Sequence, residues 1–309
     1  DIRSPGLGML NLKNKSFYFG WRITGTVQVY RVDAPKGFPI QMTGGEDPTT
    51  LLDITKDGKY LILSRDRNGE ENQGLYLQPA EGGSLIEIQH KPKVQTAFAF
   101  CSDDSRFIYF RANDERADSY TIYRYDLKTK TKEKIFSESG YWTVADHWTK
   151  DSQDQTLLLG KAITNTSTEF YELDLKTKKL SPLLGQGENA SYDVSYANKQ
   201  NQFLVRTNRF SDSHRLYLME RAPSKSELLN SDSPATDASF EKRFKLFVPT
   251  EAEVKAQSFG TDVAQGDGEG AVQDSVKGTE NIQLKPVFPM EDEIERFSVE
   301  VSQLGGEDE

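Results

Sequence analysis

Few residues in this 309-residue chain have types suited to chemistry. There are three histidines: His90 in IQHKPK, His147 in VADHWTKD and His214 in NRFSDSH. Nucleophilic acyl chemistry needs a histidine beside an activated serine, with an acid orienting the ring. An exposed nucleophile on a sharp strand-to-helix bend would read G-x-S-x-G, and no such string occurs. The nearest, GGSLI at 82–86, lacks the second glycine and reads as a tight turn between strands. His90 and His214 lie in polar stretches and are expected to face solvent. His147 lies in an apolar run with Asp146 beside it, and Asp53 and Asp193 fall in comparable runs. Carboxylates and an imidazole gathered around one axis could hold a cation or guide a substrate. The alternative role for such groups is hydration or bonding to neighbouring backbone. The single Cys101 rules out a disulfide framework and a multi-cysteine zinc site, leaving a buried thiol. No H-E-x-x-H, P-loop or dinucleotide fingerprint is present. The acidic string GDGEG (266–270) lacks the oxygen-ligand spacing of a calcium loop, so no cofactor or metal is expected.

What positions these residues is a repeat. Tyr30, Tyr76, Tyr123, Tyr171 and Tyr217 sit in VQVYRVDA, GLYLQPAEGG, TIYRYDLKTK, EFYELDLKTK and RLYLMERAPS, at steps of 46, 47, 48 and 46 residues. Upstream of the last four lies a second anchor, a turn opened by Asp57, Asp103, Asp151 or Asn198, at steps of 46, 48 and 47. Each unit reads as an apolar strand, an Asp/Asn/Gly turn, a second strand, a charged loop, the Tyr strand, another tight turn and a short fourth strand. Four short antiparallel strands at this period define a β-propeller blade, which buries its faces only by stacking on its neighbours. The Tyr rings are therefore expected between blades. Innermost strands line the axis of a propeller, which makes Asp53, Asp146, His147 and Asp193 candidate channel-lining residues. Counted back from the turn anchor, Asp146 and Asp193 share a position and Asp53 is one residue off, level with His147.

Five units are recognisable within residues 1–222. The first is incomplete, with MLNL (9–12) either its innermost strand or a ring-closing one. Residues 223–309 break the pattern. FKLFVPTEAEV (244–254), NIQLKPVFP (281–289) and IERFSVEVSQL (294–304) have strand character, separated by Ser-, Gly- and acid-rich stretches. The expected fold class is all-β, a propeller of six blades with seven as the alternative, the last one irregular and closed by strands from both ends. Between second and third strands, SRDRNGEENQG (64–74), RANDERADS (111–119) and TNRFSDSH (207–214) read as long charged loops on one face, a surface suited to a partner.

Three of these stretches carry a family resemblance: GTVQVYRVDAPKGFPIQMTGGEDPTT, TKDGKYLILSRDRNGEENQGLYLQPAEGG and DERADSYTIYRYDLKTKT. Over residues 15–220 the chain resembles the N-terminal propeller of prolyl-oligopeptidase-type serine peptidases, nearest the acylaminoacyl-peptidase and dipeptidyl-aminopeptidase branch. The same blade pattern occurs in the TolB propeller, and DEIERFSVEV resembles the segment after the first propeller of tricorn-type proteases. The resemblance implies a non-catalytic propeller that caps an α/β-hydrolase domain and admits only short or unfolded peptides. This chain alone is then not expected to be catalytic, since no position matches the family's catalytic serine. Alternatives are a stand-alone TolB-like protein-binding propeller, a tricorn-type fragment, or a metal-dependent propeller enzyme, for which the set of channel acids is incomplete. The start at Asp1, without Met, reads as a processed or excised piece.

Composition narrows the partners. Net charge is −10, which disfavours nucleic acid and anionic membrane surfaces. No apolar run approaches the about 18 residues that a membrane span requires. A peptide or protein partner, including a hydrolase domain, is expected. Low cysteine fits a cytoplasmic location, with periplasmic or secreted as the alternative. Asn14, Asn165 and Asn189 head N-x-S/T strings, a pattern that chance also produces.

Overall fold

The computed structural model describes residues 5–221 and 243–246. These form twenty strands in five sheets of four, each sheet antiparallel and in sequence order. The first blade holds β1 (Gly8–Asn11), β2 (Ser16–Trp21), β3 (Gln28–Val32) and β4 (Ile40–Gln41). The second holds β5 (Thr49–Ile54), β6 (Tyr60–Arg65), β7 (Gly74–Pro79) and β8 (Ile86–Gln89). The third holds β9 (Thr96–Cys101), β10 (Phe107–Arg116), β11 (Ser119–Asp126) and β12 (Thr131–Phe136). The fourth holds β13 (Tyr141–Lys150), β14 (Gln153–Ala162), β15 (Thr168–Asp174) and β16 (Leu180–Leu184). The fifth holds β17 (Tyr192–Tyr196), β18 (Gln202–Thr207), β19 (Arg215–Glu220) and β20 (Phe244–Leu246). This is the all-β propeller architecture that the repeat implies. Gly8–Asn11 pairs with β2 as the first strand of its own blade. The outer strand of the fifth blade comes from beyond residue 222, within the stretch 244–254 that the sequence marks as strand-like. A sixth or seventh blade, and the closing strands expected at 281–304, lie outside the described residues.

The tight turns follow from their residues. Asp126 Oδ1 accepts from Lys128 N at 2.8 Å and Thr129 N at 3.1 Å, and Asp174 Oδ1 does the same for Lys176 N and Thr177 N at 3.0 and 2.6 Å. Each Asp thus closes a D-L-K-T-K hairpin by bonding its own backbone. Gly58 is required where it stands. Its φ is +73°, and an added Cβ would lie 2.5 Å from Asn11 Oδ1. Asn11 Nδ2 donates to Gly58 O at 2.8 Å, so the close approach ties the first blade to the second.

Packing between blades is apolar. Tyr18, Leu61, Leu63 and Tyr76 cluster between the first and second blades, and Ile62, Leu77, Phe110 and Tyr123 between the second and third. Tyr109, Trp142 and Leu157, with Tyr171 against them, fill the next seam, and Phe170, Phe203 and Val205 the last. Each fully buried large side chain contributes about 1.5–3 kcal/mol. Tyr76, Tyr123 and Tyr171 therefore sit between blades, as the period implies.

One loop differs from its sequence reading. RANDERADS is not a long loop: β10 runs out to Arg116 and turns tightly into β11, with Arg116 opposite Ser119. The reason lies at Asp114, whose side chain is only 4% exposed. It accepts from Tyr123 Oη at 2.7 Å and from Gln89 Nε2 at 3.3 Å, with Lys132 and Lys91 Nζ at 3.3 and 3.4 Å. A charged stretch becomes ordered strand because its acid has a cationic socket built across two blades.

Candidate functional site

The candidate channel residues all lie on first strands of blades, and first strands of neighbouring blades lie against one another at this edge. Their alignment differs from the sequence count. In β5, register slips between Leu51 and Asp53; in β9, Phe98 and Phe100 bracket Ala99; in β13, register slips between Val144 and Asp146. Each is a β-bulge, one residue extra on the first strand at the same place in three consecutive blades. After the bulge, Asp53 pairs with Ile62 and Asp146 with Leu158, equivalent rungs of their blades. β17 has no bulge, and Asp193 pairs with Arg206, two rungs from the position of the other acids. Asp53 and Asp146 therefore match, and Asp193 does not.

The two matched acids also do the same thing. Asp53 Oδ1 accepts from Ile54 N and Asp146 Oδ1 from His147 N, both at 2.8 Å. Each carboxylate satisfies the amide that its bulge turns away from the ladder. Asp146 Oδ2 accepts further from Tyr196 N at 2.7 Å, joining the fourth blade to the fifth. Asp193 is exposed and pairs with Arg206 Nη1 at 2.9 Å. Among the described residues, no group of three or more His, Cys, Asp or Glu side chains is arranged to hold a metal ion.

His147 lies face to face with Phe100, ring centroids 3.7 Å apart, and Phe100 stacks in turn on Tyr109 at 4.4 Å. His147 Nδ1 is 3.9 Å from Asp146 and Nε2 is 3.8 Å from Asp154 Oδ1. Asp154, at the start of β14, is the residue that sequence reasoning missed. Its side chain is 3% exposed, and the Tyr109 hydroxyl and the His147 ring lie near it without either making a hydrogen bond of good geometry. Burial pushes its pKa up, outweighing the opposite pull of His147 and Tyr109, while Asp104 and Asp103 push the same way as burial. Burial and Asp154 likewise push up the Tyr109 hydroxyl. A histidine flanked by two acids has the parts of an orienting pair, yet its face is covered by Phe100 rather than presented to a nucleophile.

The other histidines fall differently. His214 is exposed, as expected. His90 is not: it is 5% exposed, bonded through Nδ1 to Tyr76 Oη at 2.5 Å, and set against Gly74, where a Cβ would lie 2.3 Å from the ring. Burial, with Arg67 adding to it, pushes its pKa down. The polar string IQHKPK hides this because the partner tyrosine and the glycine gap lie on the neighbouring strand. Among the described residues no serine pairs with a histidine ring; Ser84 of GGSLI is exposed in the β7–β8 turn. Cys101 is buried and its thiol is pushed up to about 12, chiefly by burial.

Fold and site together define a class: a β-propeller whose first-strand acids Asp53 and Asp146 bond backbone amides, with no catalytic constellation among the described residues. The family model for the prolyl oligopeptidase N-terminal beta-propeller domain matches residues 49–285, and the chain belongs to that family. Among solved structures it is similar to a chain from work on two prolyl endopeptidases and the role of inter-domain dynamics in their catalysis and specificity. There the TM-score is 0.56 at 14% identity, over 81% of this chain and 37% of that one. It is also similar to TolB from Acinetobacter baumannii, with TM-score 0.44 at 16% identity over 63% of this chain and 46% of that one. At 14% identity the likeness to the prolyl endopeptidase chain is one of fold. The chain thus spans well under half the length of the prolyl endopeptidase it matches. No curated protein sequence matches it. No helix among the described residues is long and apolar enough to cross a membrane.

Proposed function

We propose that this propeller is the access-controlling domain of a prolyl-oligopeptidase-type serine peptidase, working on a hydrolase domain without supplying a catalytic group. The observation that carries the reading is the family match over residues 49–285, joined to a fold whose acids and histidines are spent on bulges, turns and seams. In this reading residues 1–222 are the regular blades and 223–309 supply the rest of the ring. Asp53, Asp146 and His147 line the axial passage, with Asp193 at a different level, and the substrate is a short or unfolded peptide sieved by the ring. We place the protein in the cytoplasm, a reading that its single buried thiol fits.

The test begins with the intact mass and reading frame of the native protein. A frame that runs into an ordinary-sized domain of roughly 200–250 residues bearing a G-x-S-x-G elbow supports the proposal. Proline-containing fluorogenic peptides of graded length, assayed on that whole molecule, should then show a size cut-off. A native protein whose mass is that of this chain, with no hydrolase co-purifying, sinks the peptidase reading and leaves a binding propeller of the TolB kind.

A further inference from the structure

The loops of the blades fall at two ends of the sheets, and the two ends differ in charge. Turns from first to second strand and from third to fourth strand leave the same end of each sheet. Between neighbouring blades they are joined: Asn11 Nδ2 donates to Gly58 O at 2.8 Å, Asp57 N to Ser105 Oγ at 2.7 Å, and Gln153 Nε2 to Asp104 Oδ2 at 2.9 Å. Within a blade, Ala80 N donates to Lys59 O and Leu127 N to Arg106 O, both at 2.8 Å. Turns of both kinds thus make one continuous face. The nine of them that are described throughout carry 12 Lys and Arg against 6 Asp and Glu, a net +6. The nine loops at the opposite end carry 5 against 9, a net −4.

The acids of the turn face are largely engaged. Asp33 and Glu81 face Arg31, Asp57 faces Lys59, and Asp103 and Asp104 accept from Thr149 and Gln153. Of its lysines, Lys178 reaches Glu133 Oε1 at 4.0 Å. Lys13, Lys36, Lys56, Lys128, Lys130 and Lys179 are exposed and make no ion pair among the described residues. Four of the five lysines in left-handed backbone also lie here: Lys15, Lys36, Lys130 and Lys178, at φ between +57° and +65°. Glycine or asparagine enters that region at lower cost, so these turns carry charge where a neutral residue would fit the backbone better. Eleven of the twelve cations are lysines, compact charges without the planar fork with which arginine grips phosphate. The chain as a whole is at −10, so a large polyanion such as nucleic acid or a membrane surface is repelled by the body of the molecule. A short acidic segment meets only the charges within a screening length of about 8 Å. We infer that the turn face is a docking surface for an acidic polypeptide segment, rich in Asp and Glu. Single exposed ion pairs are weak, so holding such a segment takes several lysines at once and depends on salt. Docking of this kind needs no hydrolase domain and stands apart from the peptidase reading.

The test uses the whole chain and a fluorescein-labelled peptide of ten glutamates, followed by anisotropy at low salt. The variant carries Lys13→Gln, Lys36→Gln, Lys128→Gln and Lys179→Gln. A control that removes the same net charge carries Arg22→Glu and Lys93→Glu, exposed positions at the opposite end. Docking predicts that the parent binds, that the variant binds at least tenfold more weakly, that the control stays within twofold, and that 0.5 M salt abolishes binding. Carbodiimide cross-linking of the peptide to the parent, read by mass spectrometry, needs no variant, and its links should fall on lysines of the turn face. Absence of binding, equal weakening of variant and control, or links mainly to Lys91, Lys93 and Lys161 overturn the inference. Tighter binding of a ten-nucleotide single-stranded DNA, or of phosphatidylserine vesicles, also overturns it, because the face would then be a general polyanion site.

Discussion

Replacing Asp154 with Asn should stabilise this protein near neutral pH. The carboxylate is 3% exposed, and neither oxygen has a hydrogen bond of good geometry; the Tyr109 hydroxyl nearby favours the anion, but burial outweighs it. Its nearest cationic group, His147 Nε2, stands at 3.8 Å, too far for a hydrogen bond. A buried polar group left without its bond costs about 1–3 kcal/mol, and a charged one more. Burial therefore raises its pKa in the folded state above the unfolded value of about 3.9. The sign follows from linkage. The folded protein holds this proton to higher pH than the unfolded chain does, so stability falls as pH climbs from about 4 through the folded pKa, then levels. Asn keeps the shape and removes the ionisation. Expected at pH 7 is a gain of about 1–3 kcal/mol, or about 2–4 °C in Tm for each kcal/mol in a domain of this size. Urea unfolding followed by the fluorescence of Trp21, Trp142 and Trp148 measures it, and the same titration at pH 4.5 should show a smaller difference. A variant that loses more than about 1 kcal/mol at pH 7, with an unchanged urea slope, would show that Asp154 is a satisfied anion and refute the reasoning.

Other substitutions test other joints. Asp114→Ala should cost about 2–4 kcal/mol, because it strips the partner from Lys132, Lys91 and the Tyr123 hydroxyl. Burial opposes ionisation of Asp114, but the Tyr123 bond and the two lysines hold its pKa below the usual range. The stability it provides is thus present above about pH 4 and lost as pH falls through the lower folded value, and acid melts of parent and variant should converge there. Asp146→Ala leaves the amides of His147 and Tyr196 without their acceptor and should cost about 1–3 kcal/mol; equal urea midpoints would contradict that role. Gly74→Ala drives a Cβ into the His90 ring and should cost about 1–3 kcal/mol, and His90→Ala in the same chain should recover part of it in a double-mutant cycle. Cys101 should resist a thiol reagent in the folded state at pH 8 and react at once in 6 M urea.

The period was legible in the sequence because its two anchors serve the blade itself. A Tyr that fills a seam and an Asp that closes a turn recur wherever a blade recurs. What interrupts the period was not legible. A β-bulge inserts a residue without changing composition, so counting back from the turn put Asp193 level with Asp146 when the bulges put Asp53 there. The burial of Asp154, Asp114 and His90 was hidden for a different reason. Phe100 and Tyr109 reach Asp154 and His147 from the preceding blade, and Gln89 and Lys91 reach Asp114 from the blade before its own. A linear reading sees only a residue's own strand, and RANDERADS or IQHKPK looks like solvent-facing polar loop until the neighbouring strands are in place.

Asp146 joins the fourth blade to the fifth with one carboxylate oxygen on a backbone amide at the first strands, whereas at the outer edge of the third and fourth blades the exposed Lys178 side chain reaches Glu133. The ring is bound like a book, stitched along its spine and loose at its page edges. Strain applied to such an object fans the pages before it cuts the thread. Blades three to five should therefore splay at their rims under load or early in unfolding, with amide exchange in β12 and β16 outrunning that in β13 and β17.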